Sequence, residues 1–217
     1  MTQTVAQRIA AFEQQAAAQF PAEAMAIFAG ERTLQGGRTP SAGPAEGRPM
    51  PDGNLLDAHG APTTLAAIRA GAPAVVVFYR GAWCPYCNLV LRTYQEALLP
   101  ELRARGIALI ALSPQTPDGA LSAQETNELA YPVLSDPGNQ LAGALGILTE
   151  TGDAAKAVQA QLGVDVAVTN ADGTAAIPMP TVVVLDAAGV IRWMDVHPDF
   201  GTRTEPEEIL KQVAALT

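Results

Sequence analysis

The sequence predicts an α/β domain from about residue 50 onward, preceded by a helical extension. Three observations carry this. Ala74–Tyr79 (AVVVFY) and Ile107–Leu112 (IALIAL) are short, continuous apolar runs of the kind buried strands show. Helical periodicity lies between them. A second pair of strand-like runs flanks Ala187-Ala188-Gly189, which reads as a hairpin loop.

The elements follow in chain order. In residues 2–35, Val5, Ile9, Phe12 and Ala16 fall on one helical face, and Pro21 opens a second stretch through Met25 and Phe28. These helices would pack on the main domain or on a second copy of the chain, so a homodimer stays open. Residues 36–53 (GGRTPSAGPAEGRPMPDG) are dense in Gly and Pro and read as a linker or surface loop. The division is then an extension over 1–35, a linker over 36–53 and a domain over 54–217. Within that domain, Pro85–Arg105 reads as one helix with Leu89, Leu91, Leu98 and Leu102 on its apolar side and Gly106 ending it. Helices are expected over Asp118–Leu129 and Asp136–Leu145, each begun by a capping Asp, and over Thr151–Leu162. Thr181–Asp186 and Val190–Met194 form the hairpin, and Glu205–Leu216 closes the chain as a helix.

The chain has 217 residues, is 48% hydrophobic and carries a net charge of −9. That is apolar enough to fold around a core, and too acidic for a nucleic-acid groove or an anionic membrane surface. The longest apolar stretch is broken by Gly71 and Pro73 and is too short to span a bilayer. No basic patch with an apolar core opens the chain, so a cytoplasmic location is the default expectation.

Only two cysteines occur, in Cys84-Pro85-Tyr86-Cys87. Cys84 follows a strand and precedes a helix opened by Pro85. Its sulfur is therefore expected at a helix N-terminus, where unpaired N–H groups and the helix dipole favour a thiolate. A dipole contribution of up to about 2 kcal/mol would bring a thiol from about 8.5 to about 7. Trp83 and Tyr86 flank the pair, and a spacing of one helical turn is within disulfide reach. Beyond the pair only His59 and His197 could complete a four-ligand metal site, and neither has zinc-finger spacing, so no metal or organic cofactor is expected. His59 in Asp-Ala-His-Gly reads as a turn residue, and His197 as a strand-end residue or a general base. Ser113, Gln115 and Thr116 end a strand where open α/β sheets bind ligands, although Thr116 before Pro117 also suits a helix cap.

Four segments in this order, FYRGAWCPYCN (78–88), LSPQTPD (112–118), VLSDPGN (133–139) and MPTVVVLDAAGVIR (179–192), resemble the peroxiredoxin-like (AhpC/TSA) branch of the thioredoxin superfamily, with the resemblance running from about Pro49 to the C-terminus. The resemblance implies a thioredoxin-like fold, a central mixed sheet with helices on both faces. It also implies a cis Pro180 before Thr181, with that loop facing the cysteines.

Two frames assign the chemistry differently. In the thioredoxin frame Cys84 is the nucleophile and Cys87 resolves. In the peroxiredoxin frame Cys87 attacks peroxide and Cys84 resolves the sulfenic acid. In the latter, Arg80 stands where the family has Pro, and Cys84 where it has Thr. The family's Arg before the VVVLD strand has no counterpart among Ile177, Pro178, Met179 and Pro180. Arg80 could substitute or could be an ordinary surface arginine. The resemblance implies a thiol antioxidant enzyme that reduces hydroperoxides and is recycled by a dithiol such as thioredoxin. The alternatives are a thiol–disulfide oxidoreductase acting on disulfides and a redox-sensing module that binds a partner through its N-terminal helices.

Overall fold

The computed structural model describes residues 3–41, 43 and 46–216; residues 42, 44 and 45 of the predicted linker, and residues 1, 2 and 217, lie outside the described residues. Its centre is a seven-stranded mixed sheet. In chain order the strands are β1 (Leu55–Leu56), β2 (Pro62–Thr63), β3 (Ala74–Phe78), β4 (Ala108–Ser113), β5 (Val133–Ser135), β6 (Leu148–Thr149), β7 (Ile177–Pro178), β8 (Thr181–Leu185) and β9 (Ile191–Val196). They are arranged β2-β1-β5-β4-β3-β8-β9, with β6 and β7 forming a separate pair. β3, β4 and β5 run parallel, and β8 is antiparallel to β3 and β9.

The helices are α1 (Val5–Gln19), α2 (Ala22–Gly36), α3 (Leu65–Arg69), α4 (Pro85–Thr93), α5 (Leu99–Ala104), α6 (Pro117–Thr126), α7 (Gln140–Ala144), α8 (Asp153–Gln161), α9 (Val166–Thr169) and α10 (Pro206–Ala214). β3 is buried on both sides, which explains its unbroken apolar run. Val75 and Val77 join one core with Val5, Ile9, Leu98, Leu102 and Ile209; Val76 and Phe78 join the other with Leu65, Leu141 and Leu145. Among the described residues no helix is long and apolar enough to cross a membrane.

The helix expected over 85–105 is interrupted. Tyr94–Leu98 forms a π turn, with the Leu99 N–H reaching back to the Tyr94 carbonyl. Pro100 is the cause: it has no N–H for the Glu96 carbonyl, and its ring would crowd that group. The buried Leu98 packs in this turn. Leu98→Ala is expected to cost about 2–5 kcal/mol in chemical denaturation.

Asp136 sits before its helix rather than at its start. Its carboxylate accepts the N–H groups of Gln140 and Leu141 at 2.8 and 3.0 Å, capping α7 across the Pro137-Gly138 turn. α6 likewise begins at Pro117, ahead of the expected Asp118.

The N-terminal helices pack on the domain. Thr4 and Gln7 form a capping box at the start of α1. The N–H groups of Val5 and Ala6 also donate to the Glu205 carboxylate, each at 2.8 Å. α1 lies against α4, and α2 against α8. The described part of the 36–53 segment is tied down as well: Gly47 N–H donates to the Ile191 carbonyl at 2.7 Å and Met50 N–H to that of Gly189 at 2.9 Å.

Candidate active site

The site forms where β3 ends and α4 begins. Gly81 makes this loop possible: its φ is +153°, and a Cβ there would overlap the Trp83 indole nitrogen and come within 3.0 Å of the Gln115 side-chain amide. Gln115 is itself a brace, its Oε1 accepting the Ala82 N–H at 2.6 Å. Gly81→Ala is expected to destabilise the fold by about 1–3 kcal/mol and to alter Trp fluorescence.

Cys84 is the N-cap of α4, followed by the exposed Pro85, and Cys87 sits in the first turn. Both sulfurs are free thiols, and each cysteine is only 1% exposed. The expectation of a solvent-reached pair with a low-pKa Cys84 is therefore corrected. The Cys84 side chain receives no capping N–H bond from α4. Burial, reinforced by its hydrogen bond to Cys87, pushes the Cys84 thiol well up. Burial alone would raise Cys87 too. There, however, the Cys84 thiol, the Arg203 and Arg80 guanidinium charges and the Arg80 backbone N–H together outweigh it and hold Cys87 well below the ordinary range. The thiolate is on Cys87, and Cys84 donates its S–H to it.

Two arginines neutralise that sulfur. Arg203 Nη2 donates to Cys87 Sγ at 3.4 Å, while its Nη1 is anchored by the carbonyls of Phe200 and Thr202. Arg80 is no surface arginine. It is 5% exposed and lies between the rings of Trp83 and Phe200, at 5.0 and 4.1 Å, with Nη2 on Thr151 Oγ1 at 3.3 Å. Among the described residues neither arginine has a carboxylate within ion-pair distance. A buried guanidinium needs an anion, and the Cys87 thiolate is the one this site offers.

The two sulfurs face different chambers. Cys87 borders a cavity of about 10 Å³ shared with Pro180, Thr181, His197 and Arg203. Cys84 borders a cavity of about 140 Å³ between α1, α2 and α8. The Met179–Pro180 peptide is trans, correcting the expected cis bond. Trans is the favoured isomer, and the turn into β8 is met without the other, with Met179 N–H donating to Ile147 and His197 N–H to the Pro180 carbonyl. Thr181 Oγ1 donates to the Met179 carbonyl at 2.9 Å.

Tyr86 joins the site to its roof. Its hydroxyl meets Glu13 at 3.2 Å, its ring packs edge-on against Phe12 and Phe200, and burial with Glu13 nearby pushes its pKa up to about 12. Arg32 ties the same region together through Glu13 and Asp199.

The remaining candidates lie further out. Both ring nitrogens of His197 are engaged, Nδ1 with Thr202 at 2.8 Å and Nε2 with Asp195 at 3.0 Å, which leaves no free nitrogen for a general base. His59 is exposed in a turn closed by Asp57. Ser113 is buried, and Thr116 caps α6 by position without a side-chain bond. Arg203 is the candidate site residue that the sequence does not reveal. It lies beyond the quoted motifs and meets Cys87 across 116 positions, so no local pattern marks it.

Comparison with known proteins agrees with this architecture. A protein of Mycobacterium tuberculosis named "Putative peroxiredoxin Rv2521" is 29% identical over 113 residues, covering 52% of this chain and 71% of its own. Two solved structures share the fold. The thiol peroxidase of Chromobacterium violaceum has a TM-score of 0.62 at 16% identity, covering 82% of this chain and 90% of its own. Peroxidoxin BcpB of M. tuberculosis has a TM-score of 0.60 at 18% identity, covering 79% and 97%. These likenesses place the chain among thioredoxin-like folds. The sequence profile of the AhpC/TSA family matches residues 47–194, well over half the chain. The chain belongs to the AhpC/TSA family and is an oxidoreductase that works through thiol chemistry.

Proposed function

We propose that the protein is a thiol peroxidase in which Cys87 attacks the hydroperoxide and Cys84 resolves the product. The observation that carries this reading is the contact of Arg203 Nη2 with Cys87 Sγ at 3.4 Å, which puts a positive charge on Cys87 and favours the thiolate there, with Cys84 pushed up as the protonated partner. The Cys87 thiolate attacks the distal peroxide oxygen, the O–O bond breaks, and the leaving alkoxide takes a proton from solvent to give the alcohol or water. Cys87 becomes a sulfenic acid. Cys84 then attacks that sulfur and loses its proton to the departing hydroxide, which leaves as water as the Cys84–Cys87 disulfide forms. An external thiol reductant, of which thioredoxin-like dithiols are what the family suggests, returns two electrons and two protons.

The supporting residues follow from the geometry. Arg203 and Arg80 stabilise charge at the reacting sulfur and on the leaving oxygen, a preorganised contribution of the kind that dominates many active sites. Pro180 and Thr181 close the Cys87 chamber. Trp83 stacks on Arg80, Pro85 opens α4 beside Cys84, and Tyr86 holds the roof. The high Cys84 thiol speaks against a disulfide-exchange enzyme led by Cys84.

One equivalent of hydrogen peroxide added to the reduced protein tests the reading. The expected product is the Cys84–Cys87 disulfide, seen by mass, with Cys87→Ser reacting no faster than a thiol in solution. Rapid oxidation that persists in Cys87→Ser would overturn it.

A further inference from the structure

The larger chamber reaches Cys84 and not Cys87, so it does not open on the sulfur that attacks peroxide. Its walls are mostly apolar, with Phe12, Ala16, Phe28, Ala155 and Phe200 among them and Glu31 and Arg80 as the charged exceptions, and its volume is about 140 Å³. That is close to the size of an apolar protein cavity known to take up benzene, enough for a body of roughly six to eight heavy atoms. Two of its lining residues, Phe20 and Leu162, are exposed apolar side chains, so the chamber has an apolar rim.

The geometry points to this chamber as the binding site for the reductant, and to a small aliphatic dithiol as that reductant. The inference rests on the peroxidase reading only in taking the Cys84–Cys87 disulfide as the species to be reduced. A thiolate entering the chamber meets Cys84 first. It bonds to the Cys84 sulfur, the Cys84–Cys87 bond breaks, and the electron pair leaves on Cys87, the sulfur that Arg203 and Arg80 already stabilise as an anion. A low-pKa thiol is the better leaving group, so attack at Cys84 is favoured by electronics as well as by access. The second thiol of the same molecule then attacks its own sulfur in the mixed disulfide. Cys84 leaves and is protonated, and the reductant departs as a cyclic disulfide.

Two features select this class. Each cysteine is only 1% exposed beneath α1 and α2, and these helices are fastened by Glu205 to α1, Arg32 to Asp199 and Tyr86 to Glu13. A folded protein cannot bring its thiol to Cys84 without displacing them. The chamber wall also holds the buried Glu31, whose carboxylate accepts the Gly152 N–H at 3.0 Å and the Gln35 amide at 2.6 Å. The Arg80 guanidinium lines the same wall, so the two charges offset one another there, and an uncharged aliphatic chain enters at less desolvation cost than the carboxylates of glutathione.

The full-length protein is oxidised with diamide, so that the disulfide forms whether or not peroxide can make it. Its reduction is then followed with dihydrolipoamide, glutathione and a reduced thioredoxin at equal thiol concentration. Dihydrolipoamide is expected to act about tenfold faster than glutathione, the gain from burying about two methylene groups, and to saturate. Ala155→Phe, which fills the chamber, is expected to abolish that advantage, and octanamide to slow dihydrolipoamide on the unaltered protein. Reduction led by the thioredoxin, or a dihydrolipoamide rate indifferent to octanamide, would overturn the assignment. Failure of hydrogen peroxide to form the disulfide would count against the peroxidase reading alone.

Discussion

Replacing Arg203 with leucine is expected to slow the reaction of Cys87 with hydrogen peroxide by about one hundred- to one thousand-fold, the range seen when one preorganised donor to a developing anion is removed. Arg203 touches the reacting sulfur directly, at 3.4 Å, and its other terminal nitrogen is fixed by two backbone carbonyls, so little reorganisation accompanies the reaction. Loss of the guanidinium also removes one of the charges that hold Cys87 down, so its pKa rises. In the unaltered protein the peroxide rate is expected to stay level through neutral pH, where an ordinary thiol near about 8.5 is already mostly protonated, and to fall only in acid. In Arg203→Leu the fall moves to higher pH. Arg203→Lys keeps the charge without the planar fork and should lie between the two. Stopped-flow peroxide consumption against pH checks all three. An acid limb that does not move in Arg203→Leu would show that the arginine does not act on the sulfur.

The second large effect falls on Cys84. With Cys84→Ser the protein is expected to consume one equivalent of peroxide and stop, because no second thiol remains to form the disulfide, and steady-state turnover with a dithiol drops to background. Serine still presents an O–H to the Cys87 sulfur, so the first turnover keeps most of its rate. Cys84→Ala presents nothing. Burial then weighs more heavily on Cys87, its pKa rises, and the first turnover slows as well. Trapping the Cys87 sulfenic acid in both variants, with burst amplitude and rate measured separately, distinguishes loss of the resolving thiol from loss of the hydrogen bond. Sustained turnover in Cys84→Ser would remove Cys84 from the cycle.

Much of this was legible in the chain. β3 and β4 announce themselves because strands buried on both faces must be apolar throughout, and the hairpin of β8 and β9 because Gly189 follows one strand and precedes the next. The cysteine pair was legible by spacing, and the position of Cys84 at the α4 N-cap by Pro85. Other features are set by contacts between distant segments. The leucine spacing of 85–105 hides the π turn that Pro100 imposes. Val5 and Ile9 mark an apolar face on α1 without showing that it lies on α4 and roofs the cysteines. The helix end points to a thiolate on Cys84, whereas the direction of the S–H bond and the charges of Arg203 and Arg80 favour it on Cys87. Arg80 looked equally suited to the surface until Trp83 and Phe200 closed over it. Arg203 arrives from the loop before α10, where sequence carries no sign of its target.

Whether Cys87 alone carries the negative charge of the pair is read from a pH titration of thiolate ultraviolet absorbance in the unaltered protein, Cys84→Ser and Cys87→Ser. A thiolate that persists below neutral pH is expected in the first two and is expected to vanish in the third. A low-pH thiolate that survives in Cys87→Ser and is lost in Cys84→Ser would contradict a charge on Cys87.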